Sequence, residues 1–218
     1  MSPLLLLLSA FICGASLADA PPKWAQMQKA VLVERDLDQI KALVQSGVDP
    51  NAPIGCGTFA PLDGAIQQEN PEMVELLLSL GATPTESQMV KAAFCSNPDA
   101  ALKIVKSLHA AGISINAREY YSPEDRTRST QPIHKAIWRG NKELVAYLLE
   151  QEGIQLDNPN GDGYTPLMIA VEQGQEAIVD MLLAGGANPQ IRNKDGLDAS
   201  AIADRVIARQ QRLKMKIK

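Results

Sequence analysis

The chain has 218 residues, which is long enough for one domain with its own hydrophobic core. Aromatic residues make up only 4% of the sequence, whereas Ala and Leu recur along its length, so packed helices are favoured over a β-sandwich. The formal net charge of -4 at pH 7 excludes the strongly basic proteins and argues against nucleic acid as the main partner.

The N-terminus begins with an uncharged apolar stretch from Pro3 to Ala15, followed by small residues at Ser16, Ala18 and Ala20. This pattern is typical of a secretory signal peptide, and the stretch is shorter than the roughly 20 residues that span a bilayer. It departs from the usual pattern in one respect, because no Lys or Arg precedes it. We predict that residues 1–18 are removed on export, which implies a periplasmic or secreted protein with no stable membrane anchor.

A glycine recurs at the end of successive apolar helical runs. These glycines are Gly47, Gly81, Gly112, Gly153 and Gly186, and the intervals between them are 34, 31, 41 and 33 residues. An interval near 33 with one insertion indicates helix-turn-helix repeats, which stack because neither helix can bury its apolar side alone. Glycine after the second helix supplies a left-handed cap. The sequence therefore predicts an all-α solenoid.

Two segments that lie 34 residues apart share a helix-start motif. Residues 131–136 read Gln-Pro-Ile-His-Lys-Ala and residues 165–170 read Thr-Pro-Leu-Met-Ile-Ala, and both resemble the Thr-Pro-Leu-His-x-Ala motif of ankyrin repeats. The run at 144–149 resembles the family's second helix, Val-Val-x-Leu-Leu-Leu, and the turn at 186–189 resembles its Gly-Ala-Asp-Pro. The resemblance implies an ankyrin-repeat solenoid that binds another protein and catalyses nothing.

Five repeat units and a C-terminal cap are predicted. The units cover residues 24–51, 52–84, 85–117, 118–157 and 158–194, within an ankyrin-repeat domain assigned to 19–197. The first unit lacks the motif and is interpreted as an N-terminal cap; the third also lacks it. A basic capping helix is assigned to 198–218, with the last repeat covered by Ala201, Ile202, Val206, Ile207 and Leu213.

The last 14 residues carry an unusual charge. Six of the 21 basic residues lie between Arg205 and Lys218 with no acidic residue among them, so the rest of the chain has 15 basic and 25 acidic residues. Such a helix has the charge to contact anionic lipid or an acidic partner. A capping role is preferred, because cations complement the dipole of a helix C-terminus and a polar end keeps a solenoid soluble.

Catalysis finds little support in the sequence, because no nucleophile motif, metal-spaced cluster or phosphate-binding glycine loop is present. No catalytic residue, metal or cofactor is therefore predicted. The chain has two histidines: His134 matches the family's motif histidine, which hydrogen-bonds the repeat turn, and His109 is expected at the surface. The alternative from another class is a host-directed effector or a thiol-dependent enzyme that uses Cys56 or Cys95.

The same two cysteines allow a disulfide in an oxidising compartment. The repeat register places Cys56 in a finger loop and Cys95 at the far end of the next repeat's first helix. Eight or so helical residues separate these two levels by roughly 12 Å, which exceeds the Cα separation of a disulfide. The sequence therefore favours two free thiols.

An insertion between the third and fourth units marks the expected binding site. It runs from Arg118 to Ser129 and lengthens one finger, and insertions in repeat proteins often lie on the binding face. Alignment of the first helices places Phe94 and Trp138 in a column with Gln67 and Glu172, which the family generally leaves exposed toward a concave groove. The alternative is that Phe94 and Trp138 pack into the core between repeats.

We predict that a protein partner binds a monomeric chain at this groove and finger. Aromatic residues are over-represented among interface hot spots, and arginines at the rim affect the association rate more than the affinity. The predicted contact residues are Phe94, Tyr120, Tyr121, Arg126, Arg128, Trp138 and Tyr164.

Overall fold

The computed structural model describes residues 22–54, 59–122 and 129–217. Within these ranges the chain forms eleven α-helices, one π-helical segment and two short strands. The elements in chain order are α1 (Lys23–Lys29), the π-helical segment (Ala30–Glu34), α2 (Leu37–Gln45), α3 (Pro61–Gln67), α4 (Pro71–Ser79), α5 (Glu86–Ala92), α6 (Pro98–Ala110), β1 (Glu119–Tyr120), β2 (Ser129–Thr130), α7 (Pro132–Arg139), α8 (Lys142–Leu149), α9 (Pro166–Glu172), α10 (Glu176–Ala184) and α11 (Ala199–Ile217).

The helices pair along the chain and stack in two layers. The π-helical segment, α3, α5, α7, α9 and α11 contact one another in succession and form the inner layer. The second helices α2, α4, α6, α8 and α10 contact one another in the same order and form the outer layer. The predicted solenoid of five helix pairs with a C-terminal capping helix is confirmed.

Helix starts and ends use the residues that the sequence indicated. Proline is the first residue of α3, α4, α6, α7 and α9, where its missing N–H costs no hydrogen bond. Asn70, Asn97 and Asn141 precede second helices, and their side-chain oxygens accept hydrogen bonds from backbone N–H groups of the first turn. The five repeat glycines all have φ between 77° and 94°, which confirms their left-handed capping role.

A continuous apolar core runs between the two layers through all five repeats. Its members are mainly Leu, Ile, Val, Met and Ala, supplied by both helices of each pair. Those buried to 1% exposure or less include Ile40, Met73, Leu77, Ile104, Leu108, Ile133, Leu144, Leu148, Ile178 and Leu182. Each helix pair therefore depends on its neighbours for burial, as expected for a repeat array.

Polar side chains in the turns tie each repeat to the next. The Asn51 amide donates to the Gly81 carbonyl at 3.1 Å, and its oxygen accepts from the Thr83 N–H at 2.8 Å. Asn116 repeats this arrangement with Gly153 and Gln155 at 2.9 and 3.0 Å. These bonds satisfy turn groups that the helices leave unpaired, so they fix the spacing between repeats.

The long finger contains a β-hairpin, whereas the sequence predicted a chain that is wholly helical. Glu119 pairs with Thr130 and Tyr120 with Ser129 in antiparallel register. The two ends of the insertion therefore lie side by side in this ladder. These are the two strands of the described residues, and each is two residues long. They form no sheet core.

The capping helix covers the last repeat with its first half only. Ile202 is fully buried and Val206 half-buried, as predicted, but Ile207 and Leu213 are 52% and 51% exposed. The expectation that Ile207 and Leu213 cover the repeat is wrong, because α11 contacts the two-turn helix α9 and continues beyond it. No helix in the described ranges is long and apolar enough to cross a membrane.

Candidate functional site

The exposed side of the inner layer carries the residues that the sequence placed in one column. Gln67, Phe94 and Trp138 are exposed, and Glu172 is half-buried. We call the surface formed by Gln67, Phe94, Lys135, Trp138 and Arg139 the groove face. The alternative that Phe94 and Trp138 belong to the core is wrong, since their exposed fractions are 41% and 53%.

Trp138 is exposed because of its position on α7. The apolar residues Ile133, Ala136 and Ile137 of this helix are buried against the neighbouring repeats. Lys135, Trp138 and Arg139 lie three and four residues apart, so they share the opposite side of the helix. A helix whose other apolar residues are buried thus presents one large aromatic side chain to solvent.

Phe94 lies in the turn that follows α5, beneath two cations from the next repeat. The guanidinium carbon of Arg139 is 3.9 Å from the Phe94 ring centroid, and the Lys135 ammonium is 4.9 Å from it. The Arg139 Nε–H donates to the Phe94 carbonyl at 2.8 Å. Cation–π attraction and this hydrogen bond hold the Arg139 side chain in place between repeats three and four.

The finger hairpin rests on the start of α5. The Ser87 hydroxyl donates to the Glu119 carboxylate at 2.9 Å, and the Arg118 N–H donates to the Glu86 carboxylate at 3.1 Å. Tyr120 and Tyr121, which follow directly, are 38% and 54% exposed. The predicted contact residues Arg126 and Arg128 lie outside the described residues.

Tyr164 lies in the turn before α9 and is half-buried. Its hydroxyl accepts a hydrogen bond from Arg205 of the capping helix at 2.9 Å, and Arg205 also contacts the Glu172 carboxylate at 3.1 Å. The structure therefore ties Tyr164 to the C-terminal cap. Its role in partner binding stays a prediction.

A cleft of about 320 Å³ lies beside the groove face, between α3 and α5. Its lining includes Phe59, Asp63, Lys91, Phe94 and Cys95. The sequence pattern did not indicate four residues of this region, which are Phe59, Lys91, Lys135 and Arg139. The spacing along the helix could have indicated Lys135 and Arg139, because Lys135 lies three residues before Trp138 and Arg139 directly after it.

Cys95 is a free, buried thiol whose Sγ lies 3.7 Å from the Ile66 carbonyl oxygen. Burial, together with the Glu69 carboxylate, raises the pKa of the Cys95 thiol to about 11. A thiol with this pKa is protonated at neutral pH, which disfavours a nucleophilic role. Cys56, the other cysteine of the disulfide that the sequence disfavours and the other candidate nucleophile, lies outside the described residues.

The two histidines differ in their surroundings. His134 is fully buried at the start of α7, where Nδ1 accepts from the Gln131 N–H at 3.1 Å and Nε2 lies 3.0 Å from the Asn158 carbonyl oxygen. This is the structural role that the motif predicted. His109, expected at the surface, is half-buried and shares a 2.8 Å hydrogen bond with the Tyr147 hydroxyl. No group of three metal-ligating side chains occurs in the described part of the chain.

The comparisons with known proteins agree with this architecture. The family described as ankyrin repeats (three copies) matches residues 89–193. This match and the stacked helix pairs agree on the fold, which is an ankyrin-repeat solenoid.

Curated relatives share the repeats over part of their length. The chain is 30% identical over 194 residues to human neurogenic locus notch homolog protein 4, covering 81% of this chain and 8% of that protein. It is 35% identical over 71 residues to human ankyrin repeat family A protein 2, covering 33% of this chain and 22% of that protein. The chain therefore spans less than a quarter of either relative.

Solved structures share the fold over most of the chain. An ankyrin repeat domain from Acinetobacter baumannii superposes with a TM-score of 0.69 at 21% identity, covering 86% of this chain and 94% of that one. A chain from the complex of a predatory endopeptidase of Bdellovibrio bacteriovorus with an immunity protein has a TM-score of 0.66 at 23% identity, covering 84% and 93%. At these identities the likeness concerns the fold alone.

Proposed function

We propose that the protein is exported and acts as a non-catalytic binding module, which holds a protein partner against its groove face and long finger. The observation that carries the proposal is the 53% exposure of Trp138 on a helix whose other apolar residues are buried. Exposed aromatic side chains are over-represented among the residues that dominate binding energy at protein interfaces. Ankyrin repeats in general serve protein–protein interaction.

Two further features support this surface. Phe94 adds a second exposed aromatic ring on the neighbouring repeat, and Arg139 connects the two repeats at that point. The finger presents Tyr120 and Tyr121 on a hairpin attached to α5 of the same region. Large rigid side chains on two adjacent elements give a partner more apolar area than either element alone.

Export to the periplasm or to the outside of the cell is part of the proposal. It is supported by the uncharged apolar stretch from Pro3 to Ala15 and the small residues after it, which resemble a signal peptide. The likeness to a chain from an endopeptidase–immunity protein complex suggests one form of the role, in which a solenoid of this fold holds a second protein.

The test is affinity capture with chemical crosslinking of the tagged full chain in its native compartment. We expect a protein that the wild type recovers and that Trp138→Ala recovers at least about fivefold less, because removal of a hot-spot residue costs more than about 1 kcal/mol. Tyr121→Ala, at the finger, should reduce recovery as well.

Glu143→Ala is the matched control, since Glu143 is an exposed residue on the outer helix of the same repeat as Trp138. It should recover the partner as the wild type does. Equal recovery by the wild type, Trp138→Ala and Tyr121→Ala would show that the partner binds elsewhere.

A further inference from the structure

The charges on the groove face are unbalanced. Lys135 and Arg139 have no carboxylate within salt-bridge distance among the described residues. Both cations contact the Phe94 ring, and Arg139 also donates to the Phe94 carbonyl. Both therefore present positive charge at the surface.

Three carboxylates of the inner layer and its turns, Asp63, Glu69 and Glu172, already have partners. Asp63 accepts from the Ala60 N–H at 3.1 Å and lies 3.5 Å from the Lys91 ammonium. Glu69 accepts from the backbone N–H groups of residues 96 and 97 at 2.6 and 2.9 Å, and Glu172 pairs with Arg205. None of these three carboxylates forms a salt bridge with Lys135 or Arg139.

Arg139 is held in a conformation suited to an anion. Its Nε–H is used by the Phe94 carbonyl and its guanidinium lies over the Phe94 ring, while the terminal N–H groups have no hydrogen-bond partner among the described residues. A guanidinium fixed in this way loses little side-chain entropy when it binds a carboxylate. Trp138 is its direct neighbour in sequence, and Lys135 lies one turn away.

We propose that the partner segment that binds the groove face alternates between acidic and apolar residues. A carboxylate pairs with Arg139 and Lys135, and an apolar or aromatic side chain beside it packs on Trp138. This inference rests on the proposed function, and it names the chemistry of the partner.

The charges on the outer helices favour binding of such a segment at the groove face. Exposed carboxylates there include Glu72, Glu143 and Asp180, on three different outer helices. The outer helices carry seven acidic and four basic residues in all, so an acidic segment meets a net negative charge on that side and positive charge at Arg139 and Lys135, which favours the groove face over the outer helices.

The experiment selects binders of the full chain from a displayed library of random dodecapeptides. We expect the selected sequences to be enriched in Asp and Glu next to Trp, Phe or Leu. A synthetic copy of a selected peptide should bind at least about tenfold more weakly to Lys135→Gln/Arg139→Gln, because charge-assisted hydrogen bonds are lost. Its binding to wild type should also weaken as NaCl is added.

Lys103→Gln/Lys142→Gln is the matched control, since both lysines are exposed on outer helices and the change in net charge is the same. It should bind the peptide as wild type does, and circular dichroism should show all variants folded. Selected peptides that are neutral or basic, yet lose binding to Trp138→Ala, overturn the inference and leave the proposed function standing. Peptides that bind Trp138→Ala as tightly as wild type count against both, and a selection that enriches no sequence overturns the inference.

Discussion

The imidazole of His134 joins the start of α7 to a turn of the next repeat: its Nε2 lies 3.0 Å from the carbonyl oxygen of Asn158. Because Nδ1 accepts from the Gln131 N–H, Nε2 carries the proton and donates to Asn158. The side chain therefore works only as the neutral tautomer. Burial lowers the pKa of His134 to about 4.

Stability should consequently fall as the pH is lowered from about 6.5 to about 4. In this window the unfolded chain binds a proton at residue 134 that the folded chain does not, so acid favours unfolding. The shifted pKa predicts that the free energy of unfolding falls by about 3 kcal/mol across this window. Urea unfolding at a series of pH values measures it. His134→Gln should be less stable at pH 7 and lack this part of the pH dependence. Equal slopes for the two proteins would contradict the assignment.

Truncation of two adjacent residues of α7 should destabilise the protein by very different amounts. Ile137→Ala should destabilise the protein by about 2–5 kcal/mol, because Ile137 is fully buried between repeats. Trp138→Ala should cost less than about 1 kcal/mol, because the indole is largely exposed. Thermal or urea unfolding measures both. A collapse of stability in Trp138→Ala would mean that Trp138 supports the core.

The two halves of the capping helix α11 should contribute unequally to stability. Ile202→Ala should destabilise the protein by about 2–4 kcal/mol, since Ile202 is buried against the last repeat. Ending the chain after Ala208 should cost less than about 1 kcal/mol, because the removed side chains up to residue 215 are exposed. The comparison uses unfolding free energies of the two variants. A truncated chain as unstable as Ile202→Ala would show that the distal half of α11 packs on the solenoid.

Cys95 should be protected from alkylation in the folded protein. Its thiol is buried and its pKa is raised to about 11, so the reactive thiolate is scarce at pH 8. In unfolded protein without reductant, both Cys56 and Cys95 should label, as read by mass spectrometry of the digested chain. Labelling of neither cysteine before a reductant is added would indicate a disulfide between them.

Export should shorten the chain. We expect the mature protein in the periplasmic or secreted fraction to lack residues 1–18, because the small residues after the apolar stretch provide a cleavage site after Ala18. Intact-mass measurement of that fraction provides the check. A soluble cytosolic pool that retains Met1 would count against export.

Most of the fold could be predicted because each repeat follows local rules. The repeat glycines, the prolines at helix starts and the apolar periodicity act within one helix pair, so they can be read without coordinates. The same rules failed at Ile207 and Leu213. Whether these residues are buried depends on how far α9 extends beside α11, which the pattern of α11 alone does not contain.

The sequence by itself determined the helix pairs, their caps and the cap-forming glycines, and it placed Phe94 and Trp138 in one column while leaving open whether they are exposed. The tertiary structure decided that both are exposed. Only the tertiary structure decided that Lys135 and Arg139 lie over Phe94 and that Arg205 reaches Tyr164. Helical periodicity specifies which side of a helix faces its own core, because that is a local property. Contacts between side chains 41 and 45 residues apart depend on the distance and rotation between stacked repeats, which the whole core sets through close packing.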